Sequence, residues 1–243
     1  MTKKLVIKVW TLVSILVLLY ACQTPFLFSK GQTVAFIGDS ITQQGGYVEG
    51  VKAYLQKEHA DLELKVVNLG LSSETVSGLS EPIHDPPRPL LFDRLDQILE
   101  EAQPDLVFFY YGINDGIYHP FSKANFIAYQ EGVQRFLEEM QAQKIKVFLM
   151  TPSPIVLKEK DPNSLVGDDT YSYKNPYYLY DEEVMQVYRD YILSVEHPSV
   201  IQKIDIHRPL LEQKNIAYGD DPIHPIKEGH QIIAKTIIEA IEK

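Results

Sequence analysis

Cysteine is all but missing: Cys22 is the only one in 243 residues, so no intramolecular disulfide can form. Positive charge is in deficit as well. Lys and Arg number 23 against 33 Asp and Glu, a formal net charge of -10, which disfavours a polyanionic partner such as nucleic acid. There is no low-complexity segment and no internal period of the kind that marks solenoids or propellers. Nor is there an apolar run of the ~20 residues that a membrane-spanning helix wants. With 45% hydrophobic and 23% charged residues, what remains is an ordinary globular chain with room for one sizeable core and one domain.

The first 22 residues differ in kind. Met1-Thr2-Lys3-Lys4 is basic, an apolar run extends from about Val9 to Leu19, and Tyr20-Ala21-Cys22 follows. That order is the architecture of an export signal. Leu19-Tyr20-Ala21-Cys22 resembles a bacterial lipobox, in which a signal peptidase cuts before the cysteine and its thiol receives diacylglycerol. The resemblance implies a signal peptide over residues 1–21, lipidation at Cys22, a linker to residue 32, and an exported protein held at the cell envelope by its lipid. Gln23 after the cysteine fits outer-membrane sorting if the cell is Gram-negative. The competing reading, an uncleaved anchor, has the shortness of the apolar run against it.

From residue 33 to 243 the hydrophobic pattern alternates between two periods. Thr33–Ile37, Leu64–Asn68, Asp105–Tyr111, Lys146–Met150 and Val200–Ile204 are short β-rich runs. Helical stripes lie between them: Tyr47 to Leu55, Leu91 to Leu99, Phe126 to Met140 and Tyr177 to His197, with Lys227–Lys243 closing the chain. The proline-rich stretch Glu81–Pro89 and the region Pro152–Pro176 read as irregular. Strands alternating with helices predict an α/β fold with a five-stranded parallel sheet, a three-layer α/β/α sandwich of flavodoxin-like kind. Ligands in such sheets bind at the carboxyl ends of the strands.

Chemistry should therefore gather just after the strands. Gly38-Asp39-Ser40 follows the first, Asn68-Leu69-Gly70 the second, Gly112-Ile113-Asn114-Asp115 the third, and Asp221-Pro222-Ile223-His224 lies beyond the fifth. Any one of these patterns is weak evidence, but four in order converge on one rim. In that order and spacing they resemble the blocks of the SGNH/GDSL hydrolases, the GDSL-like lipases and acylhydrolases, over nearly the whole chain after the leader. The resemblance implies Ser40 as nucleophile, His224 as base and Asp221 as the group that orients the base. It also implies three oxyanion donors: the backbone amides of Ser40 and Gly70, and the side-chain amide of Asn114.

The residue types suit that chemistry. A serine hydroxyl is a poor nucleophile unless a base takes its proton as the bond forms, and imidazole can take that proton and return it to the leaving alcohol. Asp-x-x-His lets one turn present base and orienter together, with Pro222 and Pro225 stiffening it. Plainer readings stand beside these. Ser40 can be a helix N-cap, Gly70 a tight turn, and Asn114-Asp115 an Asx turn with Asp115 as structural support. His84 and His119 lie in loops on the rim, but no ligand-spaced cluster suggests a metal, and no cofactor is implied. Tyr110-Tyr111, Tyr118 with Phe121, and Tyr171 to Tyr180 can line a sugar cleft or serve as packing. Arg88 can meet a polar or anionic substrate group, or be a solvated charge or surface ion pair.

The function expected is that of a serine esterase hydrolysing small ester groups, acetyl in particular, on carbohydrate through an acyl-serine intermediate. A lysophospholipase or thioesterase would need a long apolar groove, whereas the loops after the strands are rich in proline, tyrosine and charge. A non-catalytic glycan-binding lipoprotein would have no need of Ser40, Asp221 and His224 together. A transferase moving acetyl onto a sugar would use the same residues.

Overall fold

The structure, a computed structural model, describes residues 27–162 and 170–243; the leader 1–21 and Cys22 lie outside the described residues. Strands β1 (Thr33–Gly38), β2 (Lys65–Asn68), β3 (Leu106–Tyr110), β4 (Lys146–Met150) and β5 (Val200–Ile204) form one parallel sheet in the order β2-β1-β3-β4-β5. β1 and β3 are buried along their whole length, which is why they read as continuous apolar runs and not as alternating ones. The edge strands β2 and β5 are largely half-buried or exposed.

Each face of the sheet has its own core. Val34, Phe36, Leu106, Phe108, Phe148 and Met150 pack with helices α2 (Gly46–Glu58) and α8 (Lys227–Ile241). There the rings of Phe36, Phe108 and Phe148 stack across three neighbouring strands at centroid distances of 4.6 and 4.3 Å. Ala35, Ile37, Val107, Phe109, Val147 and Leu149 face the other way, toward α3 (Leu95–Ala102), α4 (Lys123–Ala142) and α5 (Gln186–Ser194). This is the expected three-layer α/β/α sandwich.

Several local features differ from the expectation. The stripe Tyr47 to Leu55 lies within α2, and ahead of it stands a further short helix, α1 (Ser40–Gln44), parted from α2 at Gly45, which takes a left-handed φ of 80°. The stripe from Tyr177 begins as a wide π-helical turn, Tyr180–Met185, before α5. Two short helices that the sequence pattern did not suggest, α6 (His207–Glu212) and α7 (Lys214–Ala217), lead from β5 toward the Asp221 loop.

The tight passage from β1 into α1 is what presents Ser40. A Cβ on Gly38 would lie 2.1 Å from Thr42 Oγ1 and 2.7 Å from the Tyr110 carbonyl oxygen, so only glycine lets the chain turn there. Asp39 then caps α1, its carboxylate accepting the Ile41 amide at 3.0 Å.

Candidate active site

Because Asp39 is the cap, Ser40 is the first residue of α1 and its hydroxyl is spared the capping role. Ser40 Oγ lies 2.8 Å from His224 Nε2, and His224 Nδ1 lies 2.7 Å from Asp221 Oδ2. A carboxylate only accepts, so Nδ1 carries the hydrogen and Nε2 offers its lone pair to the serine proton. The other carboxylate oxygen, Asp221 Oδ1, accepts the amides of Ile223 at 2.8 Å and His224 at 3.2 Å, which closes the turn that holds base and orienter together. Partial burial works against the charge on Asp221, but the Ile223 amide and the His224 contacts outweigh it and hold its carboxyl below the usual range. The structure thus brings Ser40, His224 and Asp221 into one hydrogen-bonded chain, the arrangement that nucleophilic acyl transfer requires.

Asn114 lines the same pocket and is buried. Its Oδ1 accepts the Tyr118 hydroxyl at 2.9 Å, and its Nδ2 donates to the Glu74 carbonyl at 3.1 Å. That fixes which way the amide faces and leaves one N–H unspent. Asp115 is structural: its Oδ1 accepts the amides of Val76 and Ser77, both at 2.9 Å, and burial pushes its carboxyl up to about 6 against those bonds.

Gly70 departs from the expected role. Its amide donates to Asn68 Oδ1 at 2.9 Å, and Gly70 is not among the residues lining the pocket. Its missing side chain serves the close approach of α1, since a Cβ there would lie 2.2 Å from the Gln43 nitrogen. The same loop instead brings Ser72 and Ser73 to the pocket. Ser73 adopts a left-handed φ of 64°, unusual for a side-chain-bearing residue, and among the described residues its amide donates to no acceptor. Glycine was the sequence cue for an oxyanion amide in this loop, and Ser73 carries no such cue.

Arg88 is neither a solvated charge nor a surface ion pair. Its side chain is 2% exposed and that of Glu81 is fully buried. The guanidinium grips Glu81 with two bonds, of 2.5 and 2.7 Å, and donates a third, at 3.3 Å, to the Ser73 carbonyl. Of the tyrosines proposed for a sugar cleft, Tyr110, Tyr111 and Tyr180 are buried packing; Tyr118, also buried, and Tyr173, 39% exposed, both line the pocket. His84 also lines it. The cavity around Ser40 measures about 230 Å³. Among the described residues no three His, Cys, Asp or Glu side chains gather as a metal site would need.

The sequence and the fold can also be set beside known proteins. The family model of the GDSL-like Lipase/Acylhydrolase family matches residues 36–232. The chain is 26% identical over 234 residues to an acetylxylan esterase of Geobacillus stearothermophilus, covering 87% of this chain and 94% of that one. Among solved structures, a variant of Axe2, an acetyl xylan esterase from the same organism, is 25% identical with a TM-score of 0.60, covering 88% of this chain and 96% of that one. LAE5, an alpha/beta hydrolase from the metagenome of Lake Arreo, Spain, superimposes with a TM-score of 0.64 at 22% identity, covering 89% and 98%.

Proposed function

The chain belongs to the GDSL-like lipase/acylhydrolase family and is a carboxylic ester hydrolase, and from that premise we propose that it removes small acyl groups, acetyl in particular, from carbohydrate. The observation that carries this reading is the chain Asp221–His224–Ser40, with contacts of 2.7 and 2.8 Å. In the proposed reaction Ser40 Oγ attacks the ester carbonyl while His224 Nε2 takes its proton. The tetrahedral adduct collapses, His224 returns the proton to the leaving alcohol, and water then resolves the acyl-serine by the same route. Asp221 stays ionised and stabilises the imidazolium formed on the way.

The negative oxygen of the adduct needs donors already aimed at it, each worth roughly 2.7–4 kcal/mol of barrier. We assign these to the Ser40 amide at the start of α1, the unspent N–H of Asn114 and the free amide of Ser73, the last in place of Gly70. A short acyl group is favoured by the small size of the cavity around Ser40, about 230 Å³, which leaves little room for a long chain. A carbohydrate alcohol is suggested by the acetylxylan esterase of Geobacillus stearothermophilus. The same proposal keeps the enzyme at the cell envelope through a lipid on Cys22, supported by the basic start, the apolar run and the Leu19-Tyr20-Ala21-Cys22 sequence. Metabolic labelling with palmitate, lost in Cys22→Ser, tests that part.

The activity is tested by hydrolysis of p-nitrophenyl acetate, octanoate and palmitate by the protein and its Ser40→Ala variant. Ser40-dependent turnover that falls steeply with chain length is expected. Preference for palmitate would replace the short-acyl reading, and turnover independent of Ser40 would overturn the mechanism.

A further inference from the structure

Ser73 gives the chemistry just described its amide only, and its side chain, with those of His84 and Tyr173, is left without a part in it. All three line the pocket together with Ser40 and His224, but they come from different chain segments, the loop after β2 and the turn near residue 173. His84 Nδ1 lies 2.7 Å from the Pro86 carbonyl oxygen, which has no proton to give, so Nδ1 carries the hydrogen. In the neutral ring Nε2 is then an acceptor, and at 3.1 Å Ser73 Oγ gives it the only proton the hydroxyl has. Ser73 Oγ is left with lone pairs alone, so it accepts a hydrogen bond from a ligand and cannot donate one.

The buried Arg88–Glu81 pair is the hub of this part of the pocket. Arg88 holds the Ser73 carbonyl, and Glu81 Oε1 accepts the Tyr173 amide at 3.2 Å, so one ion pair fixes both segments. Buried pairs are weak sources of stability, and fixing geometry is the better account of this one. The Tyr173 ring meets His84 at 5.7 Å and an interplanar angle of 62°, and it stays partly open to solvent. A flat ring beside an acceptor-only oxygen suits a molecule with a C–H face and a neighbouring hydroxyl. An acyl chain there would strip water from Ser73, His84 and Arg88 without replacing its hydrogen bonds.

We propose that Ser73 Oγ, His84 and the Tyr173 ring form a subsite for the alcohol half of the substrate, one that reads a hydroxyl-bearing ring such as a pyranose. This rests on the esterase reading above and gives it a specificity element. Preorganisation by Arg88 and Glu81 means that the subsite needs no rearrangement to bind.

The test compares kcat/KM on two acetate esters that differ only in the alcohol: an acetylated methyl pyranoside with its other hydroxyls free, and ethyl acetate. His84→Phe and Tyr173→Ala are the variants, since Arg88 and Glu81 are too deeply buried to change without risk to the fold. The pyranoside-to-ethyl-acetate ratio falls by about fivefold or more in either variant, the scale of one lost hydrogen bond or stacking contact, and Tyr173→Phe retains it. Equal loss on both esters, or no loss on either, overturns the subsite. Should neither ester show Ser40-dependent turnover, the esterase reading fails, and the subsite is judged by NMR titration of unacetylated methyl pyranoside into the Ser40→Ala protein. Binding that His84→Phe weakens sustains it; absence of binding overturns it.

Discussion

The protons at this site are placed by acceptors that have none of their own. Asp221 forces the hydrogen of His224 onto Nδ1, leaving Nε2 for Ser40. Asp221→Asn can offer an N–H to the imidazole and so stabilise the wrong tautomer; kcat is expected to fall on the order of 10³- to 10⁴-fold with KM little changed, as steady-state kinetics will show. A second control point is Tyr118, whose hydroxyl fixes the Asn114 amide. Ile117 and Tyr118 are consecutive left-handed residues, with φ of 47° and 59°, a conformation held only where the surroundings impose it. Tyr118→Phe should lower kcat about tenfold, roughly the worth of one hydrogen bond, with a smaller effect on KM. In an Asn114→Ala background the same change should cost nothing further. An undiminished loss there would show that Tyr118 acts by another route.

At the scale of elements, the β1–α1 passage and the loop after β2 are fitted backbone to backbone. Gly70→Ala puts a Cβ 2.2 Å from the Gln43 nitrogen, and backbone cannot swing aside as a side-chain tip can. Overpacking of this kind costs roughly 1–3 kcal/mol, so the variant should melt several degrees lower and lose activity because Ser40 rides on the displaced α1. If Gly70→Ala lost activity at unchanged Tm, its amide would have a direct role after all. The elements that the sequence made legible share a cause. Strands buried on both faces show as apolar runs, and the residues following β1 and β3 carry Ser40 and Asn114, while the Asp-x-x-His spacing marks Asp221 and His224 in the loop after α7. What stayed hidden had no periodic signal. α1, α6 and α7, of five, six and four residues, are too short for a stripe. The left-handed conformation of Ser73 is a backbone property that glycine would have announced and serine does not. Glu81 and Arg88 meet across an irregular proline-rich loop, where no spacing rule applies.

For the whole molecule, buried carboxyls set the response to pH. Burial raises Asp39 from 3.8 to about 7 and Asp115 from 3.8 to about 6, so the native state binds their protons more tightly than the unfolded chain does. Stability therefore declines as pH rises from about 4 through about 7. Glu81, Asp205 and Asp221 are lowered by their partners, so the stability they contribute is present above the ordinary carboxylate range and lost as pH falls through their depressed values. Melting temperature should accordingly be highest in mild acid, near pH 5, and fall toward pH 8. Asp39→Asn keeps a capping oxygen for Ile41 and should flatten that fall; a melting temperature that rises from pH 5 to pH 8 would refute the assignment. The central claim, that this molecule works through one activated serine, is tested most directly by treating the intact protein with a fluorophosphonate and locating the adduct by peptide mass spectrometry. The account predicts a single label on Ser40, abolished in His224→Ala. A label on Ser72 or Ser73, which line the same pocket, or no label at all, would contradict it.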